Sequence, residues 1–223
     1  ERALDDARAA LDEEAARAPA GGPTVRTELV IGPPDQTLVG LAETEHCELI
    51  VIAARSTNTA LLRLGTTTSK VIAKTSVPVL VVRDPQPWLE LAKGTRRLRI
   101  LLGIDDSATC DLGIQWTQAL RDTGPVDVIL GAIYYPDDAA SHYGLDLRGI
   151  VDSDPEIERL MSRDLLRRFG GASDPSVVAR PRRGLGRIGD HMLELAREER
   201  ADVIIVGTGQ KTGLGRLGSV SSI

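Results

Sequence analysis

Lys211 and Thr212 stand among the glycines of VGTGQKTGLGRLGSV, residues 206–220. Glycines followed by a Lys-Thr pair suit a phosphate. Backbone N–H groups cradle the oxygens, glycine allows close approach, and lysine adds charge. The spacing excludes the two commonest designs. A P-loop ending in this Lys-Thr pair needs glycine at 205 and 210, where the chain has Ile205 and Gln210. The dinucleotide fingerprint G-x-G-x-x-G starts at Gly207 and Gly209 but meets Thr212 in place of its third glycine. A ligand-free reading, strand followed by a glycine-rich surface turn, also fits.

Other reactive side chains show no recognisable pattern. There is no H-E-x-x-H, no nucleophile beside a base, and no carboxylate pair placed for Mg²⁺. Asp105-Asp106 are adjacent, and neighbours at a strand end point in different directions. No catalytic residue and no metal ligand is therefore expected. His46, His142 and His191 lack metal-ligand spacing, and Cys47 and Cys110 form no C-x-x-C, so a reducing, cytoplasmic setting is expected. A net charge of −5 argues against nucleic acid as a general partner. The arginines of ARPRRGLGR, Arg180, Arg182, Arg183 and Arg187, read as a solvated loop that could also meet phosphate or an acidic partner. With 42% hydrophobic and 26% charged residues the composition is globular, and no apolar run approaches the roughly 18 residues of a membrane span.

A repeat organises the chain. CELIVIAARSTNTALLRLGTTTS (47–69) aligns with ADVIIVGTGQKTGLGRLGSVSS (201–222) with one gap. At the same offset Gly32 matches Gly186, Leu38 matches Met192, Leu41 matches Leu195 and Ala42 matches Ala196. Two copies of one unit are implied. In the second copy, apolar runs at 98–104, 126–134, 177–179 and 203–206 read as strands. Helices are expected at 109–121, with Leu112, Trp116, Ala119 and Leu120 on one face, from Pro155 with Ile157, Leu160, Met161 and Leu165 as its stripe, and at 188–198. The first copy adds a helix through Val71 and Ile72 and a strand at 77–83. Nearly all-apolar strands alternating with helices imply an α/β fold, a parallel sheet covered on both faces. The expected boundaries are 1–84 for the first domain, 85–95 for a linker and 96–223 for the second. Overlaying the copies leaves about 60 residues to expect before Glu1 and about 14 after Ile223, so both units read as incomplete.

An α/β repeat with ILLGIDDS on its first strand and a glycine-rich turn leading to G-S-V resembles the universal stress protein family in its tandem form. The resemblance implies two Rossmann-like (adenine nucleotide α-hydrolase-like) units, each a five-stranded parallel sheet of order 3-2-1-4-5. ATP-binding members carry G-x2-G-x9-G-[ST] after the fourth strand. Carried over, the motif implies nucleotide contacts from Gly103, Ile104 and Asp105 after the first strand, and from Ile133 at the end of the second. Val206, Gly207, Gly209 and Gln210 would form the turn, and Gly218, Ser219, Val220 and Ser221 would hold phosphates at a helix start. Gln210 replaces the second glycine, and seven residues separate it from Gly218 instead of nine. In the first copy only the helix start, Gly65-Thr66, survives, with Ala53 and Ser56 at the turn and Arg55 as a possible charge. Such a first unit would leave its third strand unpaired.

The resemblance implies a stress-response regulator that binds ATP or a related adenine nucleotide in the second unit, and Mg²⁺ could accompany the nucleotide. It would signal through conformation or partners and show at most incidental ATPase activity. A homodimer is expected, with neither nucleic acid nor membrane as partner. The alternative is a dimerising interaction module whose degenerate pocket holds no nucleotide.

Overall fold

Strands of this chain form where apolar runs leave no polar face to solvate, and the longest of them lie in the second half. The computed structural model describes residues 2–19, 21–54, 65–145 and 155–208. The chain divides into two units, Glu1–Arg83 and Asp84–Ile223.

The second unit holds α4 (Gln86–Ala92), β3 (Leu98–Gly103), α5 (Ala108–Thr123), β4 (Val126–Tyr134), α6 (Pro136–Tyr143), α7 (Pro155–Phe169), β5 (Val177–Arg183), α8 (Ile188–Glu198) and β6 (Val203–Ile205). Its four strands are parallel in the order β5-β4-β3-β6. In chain order that is 3-2-1-4. On β3, Leu98, Ile100 and Leu102 face α5 and α7, while Leu101 faces α8, and all four are fully buried. The stretch read as a linker, 85–95, contains α4, and its Leu91 and Trp88 pack into the α5-side core.

Two expectations are corrected here. Helix α5 buries Cys110, Gly113, Ile114 and Thr117, while Leu112 and Ala119 are exposed and Trp116 and Leu120 half-buried. The reason is close packing. A Cβ on Gly113 would sit 3.2 Å from Leu102 Cδ1 and 3.4 Å from Ile205 Cγ2, so the smallest residues mark the buried face. The arginines of ARPRR are not a loop, because β5 runs on through Arg180, Pro181, Arg182 and Arg183. β5 is an edge strand, where a residue lacking N–H is tolerated. Arg180 pairs with Glu199, and Arg182 with Glu194 and Glu198, so these charges are matched by α8 and its C-terminal cap.

The first unit holds α1 (Arg2–Ala16), α2 (Pro34–Thr44), β1 (Ile50–Ala53), α3 (Thr66–Lys74) and β2 (Val79–Val82). β1 and β2 form a parallel pair. Ala42, Ile50 and Val71 make its small core, and Lys74 on α3 pairs at 2.5 Å with the buried Asp35 on α2. That hydrogen bond holds the Asp35 carboxyl below its usual range. Among the described residues, 23–31 join no ladder, and Val25, Val30 and Ile31 there are exposed.

The repeat is visible in backbone detail. α2 and α8 are each 11 residues long and start 154 positions apart. Both end in the same Schellman cap. His46 and Arg200 take φ of 52° and 51°, Cys47 N donates to Ala42 O at 2.8 Å, and Ala201 N donates to Ala196 O at 2.8 Å. Gly32 and Gly186, ahead of the two helices, share φ of 157° and 150°.

Candidate functional site

β6 lies beside β3, yet the chain reaches it only after laying β4 and β5 on β3's other side. The order reverses between β3 and β6. Open parallel sheets bind ligands in the crevice at the carboxyl ends of such strands.

Gly103, Ile104 and Asp105 leave β3 at this crevice, and Val206 and Gly207 leave β6. Ile104 N donates to Gly131 O at 2.8 Å and its side chain is buried, which ties the start of the turn to β4. Asp105 is exposed. Its Oδ1 accepts from Ser107 N at 3.0 Å and from Ser107 Oγ at 2.5 Å, which leaves Oδ2 open among the described residues. Ser107 Oγ also accepts from Cys110 N at 3.2 Å, capping α5, and lies 2.9 Å from Thr109 Oγ1. Burial pushes the Cys110 thiol up, against a reactive thiolate.

The β6 side meets the same helix. A Cβ on Gly207 would lie 2.5 Å from Thr109 Oγ1 and 3.1 Å from the Thr109 carbonyl carbon, so only glycine passes here unshifted. Gly103 and Gly131 are register partners on β3 and β4. A Cβ on either would come within 3.1 or 3.2 Å of Met192 Cε, so the glycines form a notch that the methionine of α8 fills. Ile133 lies two residues past Gly131 on β4, half-buried in the α8-side core.

Arg168 on α7 reaches the β3–α5 turn. Its Nη1 donates to Asp105 O at 2.6 Å and to Asp106 Oδ1 at 3.3 Å, and its Nη2 to Asp111 Oδ1 at 2.9 Å. The Asp111 hydrogen bond raises the guanidinium above its ordinary range.

The structure thus brings together Gly103, Ile104, Asp105, Val206 and Gly207. The remaining motif positions, Gly209, Gln210, Gly218, Ser219, Val220 and Ser221, lie outside the described residues, as do Lys211 and Thr212. In the first unit Ala53 ends β1 and Gly65 precedes α3, while Arg55 and Ser56 also lie outside them. Sequence reasoning missed Ser107, Thr109 and Arg168. Ser107 carries a legible signal, a serine just ahead of a helical pattern. Thr109 and Arg168 carry none, because each matters through a partner distant in the chain.

The crevice offers a carboxylate oxygen able to accept from a hydroxyl group, beside the N-terminal end of α5. Among the described residues no group of three His, Cys, Asp or Glu side chains could hold a metal ion, and no helix is long and apolar enough to cross a membrane.

Comparison with known proteins agrees with this architecture. The family model for the universal stress protein family matches residues 1–83 and 97–222. A universal stress protein from Archaeoglobus fulgidus superposes with a TM-score of 0.64 at 16% identity, over 91% of this chain and 66% of its own. A functionally unknown protein from Pseudomonas aeruginosa superposes with a TM-score of 0.58 at 17% identity, over 96% and 69%. The chain therefore spans about two thirds of these relatives' lengths. A universal stress protein from Arabidopsis thaliana solved with AMP bound covers 52% of this chain and 79% of its own, at 18% identity and a TM-score of 0.32. No curated protein matches the sequence. Two matched segments, one on each unit, cover nearly all of the chain, which belongs to the universal stress protein family.

Proposed function

We propose that the second unit binds ATP or a related adenine nucleotide at the β3–β6 crevice and acts in stress regulation through conformation or partner contacts. The observation that carries this reading is the meeting of Gly207, the start of α5 and the Asp105 turn at the point where strand order reverses. Asp105 Oδ2 would accept from the ribose. The phosphates would lie toward the glycine turn after β6, where glycine admits close backbone contact. The Ser107 hydroxyl beside Asp105 is committed to capping α5, so binding rather than turnover is the proposed role. The protein would work as a cytoplasmic homodimer, and any Mg²⁺ would arrive with the nucleotide.

Thermal unfolding in the presence of ATP, ADP, AMP and cyclic AMP tests this. A ligand at 100 times its Kd stabilises the folded state by about 2.7 kcal/mol. The expected result is an upward shift with at least one of the four. No shift with any of them, together with no heat of binding by calorimetry, overturns the reading in favour of an interaction module without nucleotide.

A further inference from the structure

The crevice has an electrostatic problem that a site for a polyphosphate must solve. Asp105, Asp106 and Asp111 crowd the β3–α5 turn and the first turn of α5. Three carboxylates beside a bound anion oppose it, and repulsion between partly exposed charges persists over roughly a Debye length of 8–10 Å. Among the described residues one cation, Arg168, bonds to this cluster. Arg168 comes from α7, an element that gives the crevice nothing else, and its guanidinium contacts all three residues. Its side chain is 29% exposed, whereas Asp106 and Asp111 are far more open, so the arginine sits beneath the turn and the carboxylates face outward.

The bonds differ in what they do. The one to Asp105 O fixes the backbone of the residue whose carboxylate serves the ligand, and Ser107 fixes that carboxylate's Oδ1 from the other side. Asp105 is held at both ends, with Oδ2 left open among the described residues. The bonds to Asp106 and Asp111 offset charge. A guanidinium does both at once because its planar fork presents several donors in fixed directions.

We propose that Arg168 is a positioning residue of the nucleotide site. It holds the Asp105 turn in shape and cancels the acidic field of Asp106 and Asp111, so that an acidic turn can receive a nucleoside polyphosphate. This inference rests on the nucleotide reading above and adds a residue and an electrostatic role to it.

The test is calorimetric titration of the wild-type chain, Arg168→Gln, Arg168→Lys and the double variant Arg168→Gln/Asp106→Asn with ATP and with adenosine. Losing the cation should weaken ATP by about fivefold or more and adenosine by only about twofold, because both ligands lose the ordered Asp105 turn whereas only ATP carries the charge that the acidic field opposes. Arg168→Lys should recover part of the ATP affinity. Asp106→Asn should recover part of it in the Gln background by removing the exposed carboxylate. Equal ATP affinity in wild type and Arg168→Gln overturns the proposal, as does an equal loss of ATP and adenosine without rescue by Asp106→Asn, which marks a purely structural arginine. If the wild type binds neither ligand, the nucleotide reading falls and takes this inference with it, an outcome visible before any variant is made.

Discussion

Replacing Gly207 with alanine probes the joint between the two halves of the crevice. The new Cβ would stand 2.5 Å from Thr109 Oγ1, 3.0 Å from Thr109 Cβ and 3.1 Å from the Thr109 carbonyl carbon. Carbon atoms in good contact are about 3.5–4.0 Å apart, so the turn and the helix must separate by roughly 0.5–1 Å. Rotation of the threonine offers little relief, since its hydroxyl is held at 2.9 Å from Ser107 Oγ and its backbone carbon cannot turn away. Overpacking of this kind costs about 1–3 kcal/mol. Urea unfolding followed by tryptophan fluorescence reads the effect in the right place, because the chain's two tryptophans, Trp88 and Trp116, both belong to the second unit. Thr109→Ala removes the closest of the three contacts. The double variant should therefore be more stable than the sum of the single effects implies, with a coupling of about 1 kcal/mol, well above the additivity error of distant sites. A Gly207→Ala chain within about 0.5 kcal/mol of wild type, or strict additivity in the cycle, refutes the close approach.

Ser107→Ala removes the cap of α5 and one of the two donors to Asp105 Oδ1, and should cost about 0.5–2 kcal/mol by the same fluorescence assay. A second expectation concerns pH. The Ser176 hydroxyl and N–H, with Arg121, hold Asp174 down to about 2. Because the folded value lies below the unfolded one, its contribution to stability is complete above the ordinary carboxylate range near pH 4 and is lost as pH falls toward 2. Asp174→Asn should flatten the urea midpoint against pH between about 5 and 2, and an unchanged slope in that window counts against the depressed value.

The strands of the second unit were legible because a buried parallel strand has no polar alternation to confuse it, and LRILLG and VDVILGAIY read directly as β3 and β4. The repeat was legible for a different reason. Schellman caps at His46 and Arg200 need no particular residue pair, yet the apolar positions in the turn before them, Leu41 and Leu195 or Ala42 and Ala196, keep their spacing. The buried face of α5 is not legible from bulk, because close contact with Leu102 and Ile205 favours a glycine at 113. The full length of β5 is not legible because a Pro-Arg-Arg run looks like a loop, and nothing local in the sequence shows that it lies on a sheet edge facing the acidic side of α8. At the crevice, Gly103, Asp105 and Gly207 are named by the family motif. Arg168 is not, being one of several arginines on α7 and 63 positions from the carbonyl it holds.

The Met192 plug between Gly103 and Gly131 has a mechanical consequence. Packed helices commonly shift on a sheet by small sliding steps. On this sheet a side chain of α8 is seated like a peg in a slot, and any slide must either lift it out or drag two strands along. The helix behind the crevice is therefore latched in place.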